Sequence, residues 1–245
     1  MIFSPRLACA TVSFAELASA NIVGYSQNAL VDGFKASGAS FVNIGGTGCN
    51  LTDLVPVGIS DKSLGVINVQ FLDATGATTA GYGYYKGGTG KRATEGWYRG
   101  MTLITKENDV PIAAGTGLWI QGATGLSLQT SGQVLNADVP CELVDGFRLL
   151  SNPFATDTTL TKLVPSGIGE KSLGVINVQF LDATGATTAG YGYYKGGTGK
   201  RATEGWYRGM TLITAENDVV IPAGSAVWVQ GAKDLVLTFK VPYSL

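Results

Sequence analysis

The sequence contains no histidine. That absence removes Ser-His-Asp and Cys-His nucleophilic catalysis, imidazole metal ligands and a histidine pH switch. Charge is scarce as well: charged residues make up 14% of the 245, against roughly 25% in an average soluble domain. The net charge is −1 and no basic cluster exceeds a pair such as Lys91-Arg92. Displacing counterions from a phosphate backbone takes a basic stripe, so no nucleic-acid partner is expected. The three cysteines, Cys9, Cys49 and Cys141, lie far apart without C-x-x-C spacing, which speaks against a zinc or iron–sulfur site. One oxidised pair with an odd thiol and three small buried hydrophobes are both open readings. No run approaches the roughly 20 apolar residues of a membrane helix, so no membrane insertion is expected. Helix is scarce too. No window of about 12 residues keeps an i, i+3, i+4, i+7 apolar stripe free of Gly or Pro. The best helical candidates are a turn or two around Leu51–Leu54 and Thr159–Leu163, ahead of a Val-Pro stop.

What is abundant is repetition. Residues 62–105, KSLGVINVQFLDATGATTAGYGYYKGGTGKRATEGWYRGMTLIT, recur unchanged as residues 171–214, an offset of 109. The likeness continues downstream, where 106–123 match 215–232 at 11 of 18 positions. Upstream, Leu30-Val31-Asp32-Gly33-Phe34 recurs as Leu143-Val144-Asp145-Gly146-Phe147, and Leu54-Val55-Pro56 as Leu163-Val164-Pro165. The intervening loop is four residues longer in the first copy, near Cys49. The organisation expected is an N-terminal segment, 1–20, and two β domains, 21–133 and 134–245. Within 1–20, Arg6 precedes a moderately apolar stretch, and Ala8-Cys9-Ala10 and Ala18-Ser19-Ala20 have the form of a signal-peptidase site. The segment reads as an export-signal remnant, or as a strand used in assembly.

The fold class follows from period 2. In Val66–Phe71, Ile67, Val69 and Phe71 share one wholly apolar face while Val66, Asn68 and Gln70 share the other. Asp73–Gly76 forms a turn, and Ala80–Tyr85 returns as the second strand of a hairpin. Trp97-Tyr98, Met101–Ile104, Leu118–Gln121 and Leu126–Gln129 follow as short strands at about ten-residue spacing. That rhythm predicts an all-β chain, two tandem copies of an antiparallel β-sandwich or barrel. The core is expected to hold Val69, Phe71, Trp97, Leu103 and Trp119, with Val178, Phe180, Trp206, Leu212 and Trp228 in the second copy. The second copy should take its first strand from Leu126–Asn136, whereas the first must take it from the free N-terminus.

The motifs carry little chemistry. GGTGKR (87–92, repeated at 196–201) lacks the phosphate-loop spacing: five residues before Gly90 stands Tyr85, and Lys91 is followed by Arg92. Asp73 and Glu95 are the two carboxylates of each identical block, and a glycosidase pair needs two across a sugar cleft. Asp73 is committed to a turn and Glu95 to a loop. Asn50-Leu51-Thr52 is the one glycosylation sequon. No cofactor, metal or catalytic residue emerges, and the chain is not expected to be an enzyme. The aromatic set is the most informative: Tyr82, Tyr84, Trp97 and Tyr98, repeated as Tyr191, Tyr193, Trp206 and Tyr207. These eight are the candidate ligand or subunit contacts. Exposed, they would stack on sugar faces; inward, they would fill a core.

Four segments together carry a family resemblance. They are Ala20–Tyr25 (ANIVGY), Gly146–Phe154 (GFRLLSNPF), Gly96-Trp97-Tyr98, and Ala114–Ile120 (AGTGLWI). The frame resembles secreted tandem β-repeat proteins of environmental and gut bacteria, of the Verrucomicrobia and Lentisphaerae type. The first copy departs from it, with Lys35–Phe41 where the SNPF element should stand. The resemblance implies export and an extracellular or cell-surface role, and it supplies no catalytic residue. The expected function is a structural subunit that assembles with itself into a filament or lattice. The alternative is a bivalent carbohydrate-binding module, with polysaccharide as partner and the duplicated Tyr/Trp set as its sites.

Overall fold

The computed structural model describes residues 23–60, 64–87, 94–100, 105–169, 173–196, 203–209 and 214–243. The segment 1–20 with Cys9, most of both GGTGKR loops, Met101–Ile104, Leu103 and Leu212 lie outside the described residues. The chain is all-β and antiparallel. Among the described residues helix is confined to two three-residue 3-10 turns, Leu51–Asp53 and Leu160–Lys162. Both fall where Thr and Leu precede the Val-Pro stop.

The first eleven strands open with β1 (Val23–Ala29), β2 (Gly33–Ser37), β3 (Gly48–Asn50) and β4 (Val55–Val57). Next come the long hairpin β5 (Leu64–Leu72) and β6 (Thr78–Tyr85), then β7 (Gly96–Arg99) and β8 (Thr105–Lys106). β9 (Pro111–Ala113), β10 (Leu118–Gly122) and β11 (Ser127–Gln133) complete the series. They form a three-stranded sheet, β1-β11-β4, and a six-stranded sheet, β2-β10-β5-β6-β7-β8, with β3 and β9 paired apart.

The second half begins with β12 (Val139–Glu142), β13 (Gly146–Ser151), β14 (Thr158–Thr159) and β15 (Leu163–Ser166). β16 (Leu173–Leu181), β17 (Thr187–Tyr194), β18 (Gly205–Arg208) and β19 (Thr214–Ala215) follow, then β20 (Val220–Ile221), β21 (Ala226–Gly231) and β22 (Val236–Phe239). Their orders, β12-β22-β15 and β13-β21-β16-β17-β18-β19, repeat those of the first half. One expectation needs correcting. The first strand of the second half is Val139–Glu142, because Leu126–Asn136 is occupied by β11, which must close the first half's own three-stranded sheet.

Alternation places the core. Ile67 and Val69 on β5 are fully buried, as are Leu118 and Ile120 on β10 and Trp97 on β7. They pack in one cluster with Tyr82 and Tyr84, and the equivalent residues build a second cluster in the other half. A register shift between Phe71 and Leu72 ends the regular alternation of β5, and Phe71 and Phe180 sit at the rim of their clusters, partly buried. Trp119 and Trp228 depart further from expectation. With Leu118 and Ile120 inward, period 2 turns Trp119 to the outer face of the six-stranded sheet. It joins a third, small cluster of Ala36, Leu149 and Ala226, as does Trp228.

Candidate functional site

The eight candidate aromatic contacts come first. β6 alternates glycine with tyrosine, so Tyr82 and Tyr84 point inward, and Tyr84 faces Trp97 across the ladder. Their rings meet edge to face, centroids 5.2 Å apart, and Tyr193 with Trp206 repeats this geometry. Tyr98 and Tyr207 pack edge to face on Tyr85 and Tyr194 on the opposite side of the strands. All eight rings are buried, the most exposed at 8%. A sugar ring needs an open aromatic face, and none of the eight offers one. Burial, and behind it the Glu95 carboxylate that accepts the Tyr84 hydroxyl, pushes the Tyr84 phenol up; Glu204 does the same for Tyr193.

The other candidates are equally occupied. Asp73 Oδ1 accepts the N–H of Thr75 (2.8 Å) and Ala77 (3.0 Å) and the Thr75 hydroxyl (2.7 Å). The Thr75 hydroxyl, followed by the backbone N–H groups, holds that carboxyl below its ordinary value, and Asp182 is held likewise by Thr184. Asn50 donates its backbone N–H to Asp53 at the head of the first 3-10 turn. Cys49 and Cys141 are free thiols in separate clusters. Burial pushes Cys49 up to about 12 and Cys141 to about 11, so both are neutral thiols at physiological pH. Among the described residues no three His, Cys, Asp or Glu side chains converge on a metal site, and no helix is long and apolar enough to cross a membrane.

Two features remain that offer something to a partner. The first is a cleft where the halves meet. The turn after β5 reaches across to the second half, where Ala74 O accepts the N–H of Phe147 at 2.9 Å, and the turn after β16 reaches back, where Ala183 O accepts that of Phe34 at 3.2 Å. The exchange is reciprocal. Each turn ends in a glycine with positive φ, +84° at Gly76 and +83° at Gly185. A Cβ there would lie 3.1 Å from the Trp228 ring and 3.2 Å from that of Trp119. Each indole is backed by a phenyl ring, Phe34 on Trp119 and Phe147 on Trp228, both at 5.5 Å. Between the two tryptophans lies a cleft of about 380 Å³, walled also by Gln70, Thr78, Gln179 and Thr187. The Thr78 hydroxyl donates to Gln70 Oε1 at 3.0 Å and Thr187 to Gln179 at 3.1 Å, which leaves each glutamine NH2 as its donor end. The sequence signal for Trp119 was present in Leu118-Trp119-Ile120-Gln121, where alternation sets Trp119 with Gln121 and not with the two aliphatics.

The second feature is an edge. A sheet edge is a row of unpaired N–H and C=O groups, and proteins blunt it with proline, shortness or cover. β4 carries Pro56, β12 carries Pro140 and β15 carries Pro165. β8 and β19 are two residues long. β2 and β13 are covered where the halves meet, with Ser37 Oγ donating to Gly224 O at 2.7 Å and Ser151 Oγ to Thr116 O at 3.0 Å. Among the described residues β1 has no such guard. It is seven residues long, lacks proline, and leaves Val23 and Tyr25 62% and 69% exposed. Ile44, 70% exposed, is close by: Gly45 bonds the Gln133 side chain, and Gln133 pairs with Val23.

Comparison with protein-family models, curated proteins and solved structures finds no match to this chain.

Proposed function

We propose that the chain consists of two tandem copies of one antiparallel β-sandwich domain, 21–133 and 134–245, behind the segment 1–20. Its role in this reading is a structural subunit, exported and assembled with copies of itself into an extracellular or cell-surface filament. The observation that carries the proposal is the unguarded edge of β1. The contrast within one molecule is what gives it weight. β12 is the counterpart of β1, and Pro140 stands opposite Thr238 as Gln27 stands opposite Gln129, 109 positions earlier. Proline removes one outward donor there and blocks strand addition; the first half keeps the donor. A strand from a neighbouring copy can then extend the sheet, its backbone pairing with β1 and its apolar side chains covering Val23 and Tyr25. The segment 1–20 is the proposed donor. The reading in which the eight tyrosines and tryptophans bind sugar draws no support from their burial.

Gln27→Pro is the direct test, because the same fold already accepts proline at Pro140. The full chain should form particles larger than a dimer by light scattering and negative-stain microscopy. Gln27→Pro and a chain lacking 1–20 should remain folded β proteins by circular dichroism and stop at monomer or dimer. A full chain that stays monomeric at high concentration, or variants that assemble as well as the parent, would overturn the proposal.

A further inference from the structure

The two-tryptophan cleft does not end at the boundary between the halves. Gln70 and Thr78 also wall a trough of about 490 Å³ that runs over the outer face of the first six-stranded sheet. Its sides carry Asn68 and Gln121, linked at 3.2 Å, and its floor is Gly81 and Gly83 of β6. In the second half Asn177, Gln230, Gly190 and Gly192 occupy the corresponding ladder positions. Among the described residues no charged side chain lines the cleft or the trough.

The glycines are the informative residues. Glycine inside a strand weakens it, and it is kept where φ is positive or where something approaches closely. Neither Gly81 nor Gly190 has a positive φ. A Cβ at Gly81 would meet nothing nearer than 3.9 Å, and at Gly190 nothing within 4 Å. Nothing among the described residues therefore requires glycine at these two positions. What their bare backbone does is keep the trough floor low, and a low floor serves a molecule lying on it.

We infer that the cleft and its trough bind a neutral polysaccharide chain. The absence of charge removes phosphate and acidic ligands, which need Arg or Lys partners. A peptide strand would pair at a sheet edge through its backbone, whereas this surface is a sheet face whose backbone groups are already used in the ladder. What remains is side-chain amide, threonine hydroxyl and indole surface. Sugar hydroxyls match the first two, since each both donates and accepts and a glutamine amide does the same. The slightly positive C–H bonds of a pyranose match the negative face of an indole. The halves meet in opposite senses, and amides suit such a site because they serve a directional chain read either way. The site is separate from the β1 edge and stands whether or not that edge assembles.

The test uses the full chain and a panel of soluble neutral polysaccharides (a β-glucan, an α-glucan and a galactomannan) in affinity electrophoresis. Titration calorimetry with a hexasaccharide of whichever is retained gives the affinity. At least one polysaccharide should retard the protein, and Trp119→Ala and Trp228→Ala should each weaken binding about tenfold or more, as aromatic anchors do. Gly81→Thr with Gly190→Thr distinguishes a site from a fold effect. Threonine suits a strand better than glycine, so thermal stability should hold or rise while binding falls about tenfold. No retention by any neutral glycan, retention untouched by both tryptophan variants and the threonine pair, or a preference for a proline-rich peptide or an anionic polysaccharide would overturn the inference.

Discussion

The four tryptophans sit at two depths, and truncating them one at a time measures the strand phase directly. Trp97 and Trp206 are 1% exposed and central to their clusters. Replacing either with alanine loses the transfer free energy of an indole and leaves a cavity, about 3–5 kcal/mol. In Trp206→Ala the Leu163 carbonyl also loses the indole N–H that reaches it at 3.3 Å. Trp119 is partly buried on the outer face, where it packs against the cluster of Ala36, Leu149 and Ala226 and stacks on the Phe34 ring, inclined by 9°. Loss of that indole leaves an open dent and no closed cavity, so forfeiting the stack and the partial burial costs about 2–3 kcal/mol, below the core value. Urea unfolding followed by circular dichroism should therefore place Trp97→Ala and Trp206→Ala well below Trp119→Ala and Trp228→Ala in midpoint at similar slope. If Trp119→Ala costs as much as Trp97→Ala, Trp119 belongs to the core and the phase assigned to β10 is wrong.

Two further outcomes follow from buried and bonded groups. In a Cys9→Ser background, Cys49 and Cys141 should resist iodoacetamide at pH 8 and react only as fast as the protein unfolds, since their thiols titrate near 12 and 11. Prompt stoichiometric labelling of the native protein would contradict their burial. Asp73 and Asp182 should titrate below 3.8 by NMR. A lowered folded pKa means stability that is present above the unfolded value and lost as pH falls through the folded one. Thr75→Ala and Thr184→Ala should raise both pKa values and flatten the acid limb of the stability curve, and wild-type carboxyls titrating at 3.8 or higher would contradict this.

Much of the sheet structure was legible because it is local. The alternation of Val66–Phe71 and the Asp-Ala-Thr-Gly turn define a hairpin without help from elsewhere, and the structure forms it as β5 and β6. Leu51–Leu54 and Thr159–Leu163 read as a turn or two of helix for the same reason, and each forms one short 3-10 turn. Trp119 reads as core by its apolar bulk, but its phase between Leu118 and Ile120 sets it on the outer face. The cleft itself could not be read, since it depends on Ala74 reaching Phe147 and Ala183 reaching Phe34, contacts 73 and 149 residues apart. The burial of the candidate tyrosines was not legible for a related reason. Alternation gives two faces to β6 and does not say that both are covered, yet Tyr84 and Tyr85 are equally buried at 8%.

The reciprocal turns also set the valence of the molecule. A contact in which each partner gives and receives the same element is saturated once formed and cannot propagate. The halves spend their turns on each other, and among the described residues the open strand edge, that of β1, occurs once per chain and not twice. A subunit that accepts one strand and donates one can only be added in line. Under the proposed assembly the product is thus unbranched, an open filament where the rotation between neighbours does not close and a ring where it does, and a two-dimensional lattice would require a second kind of contact between filaments.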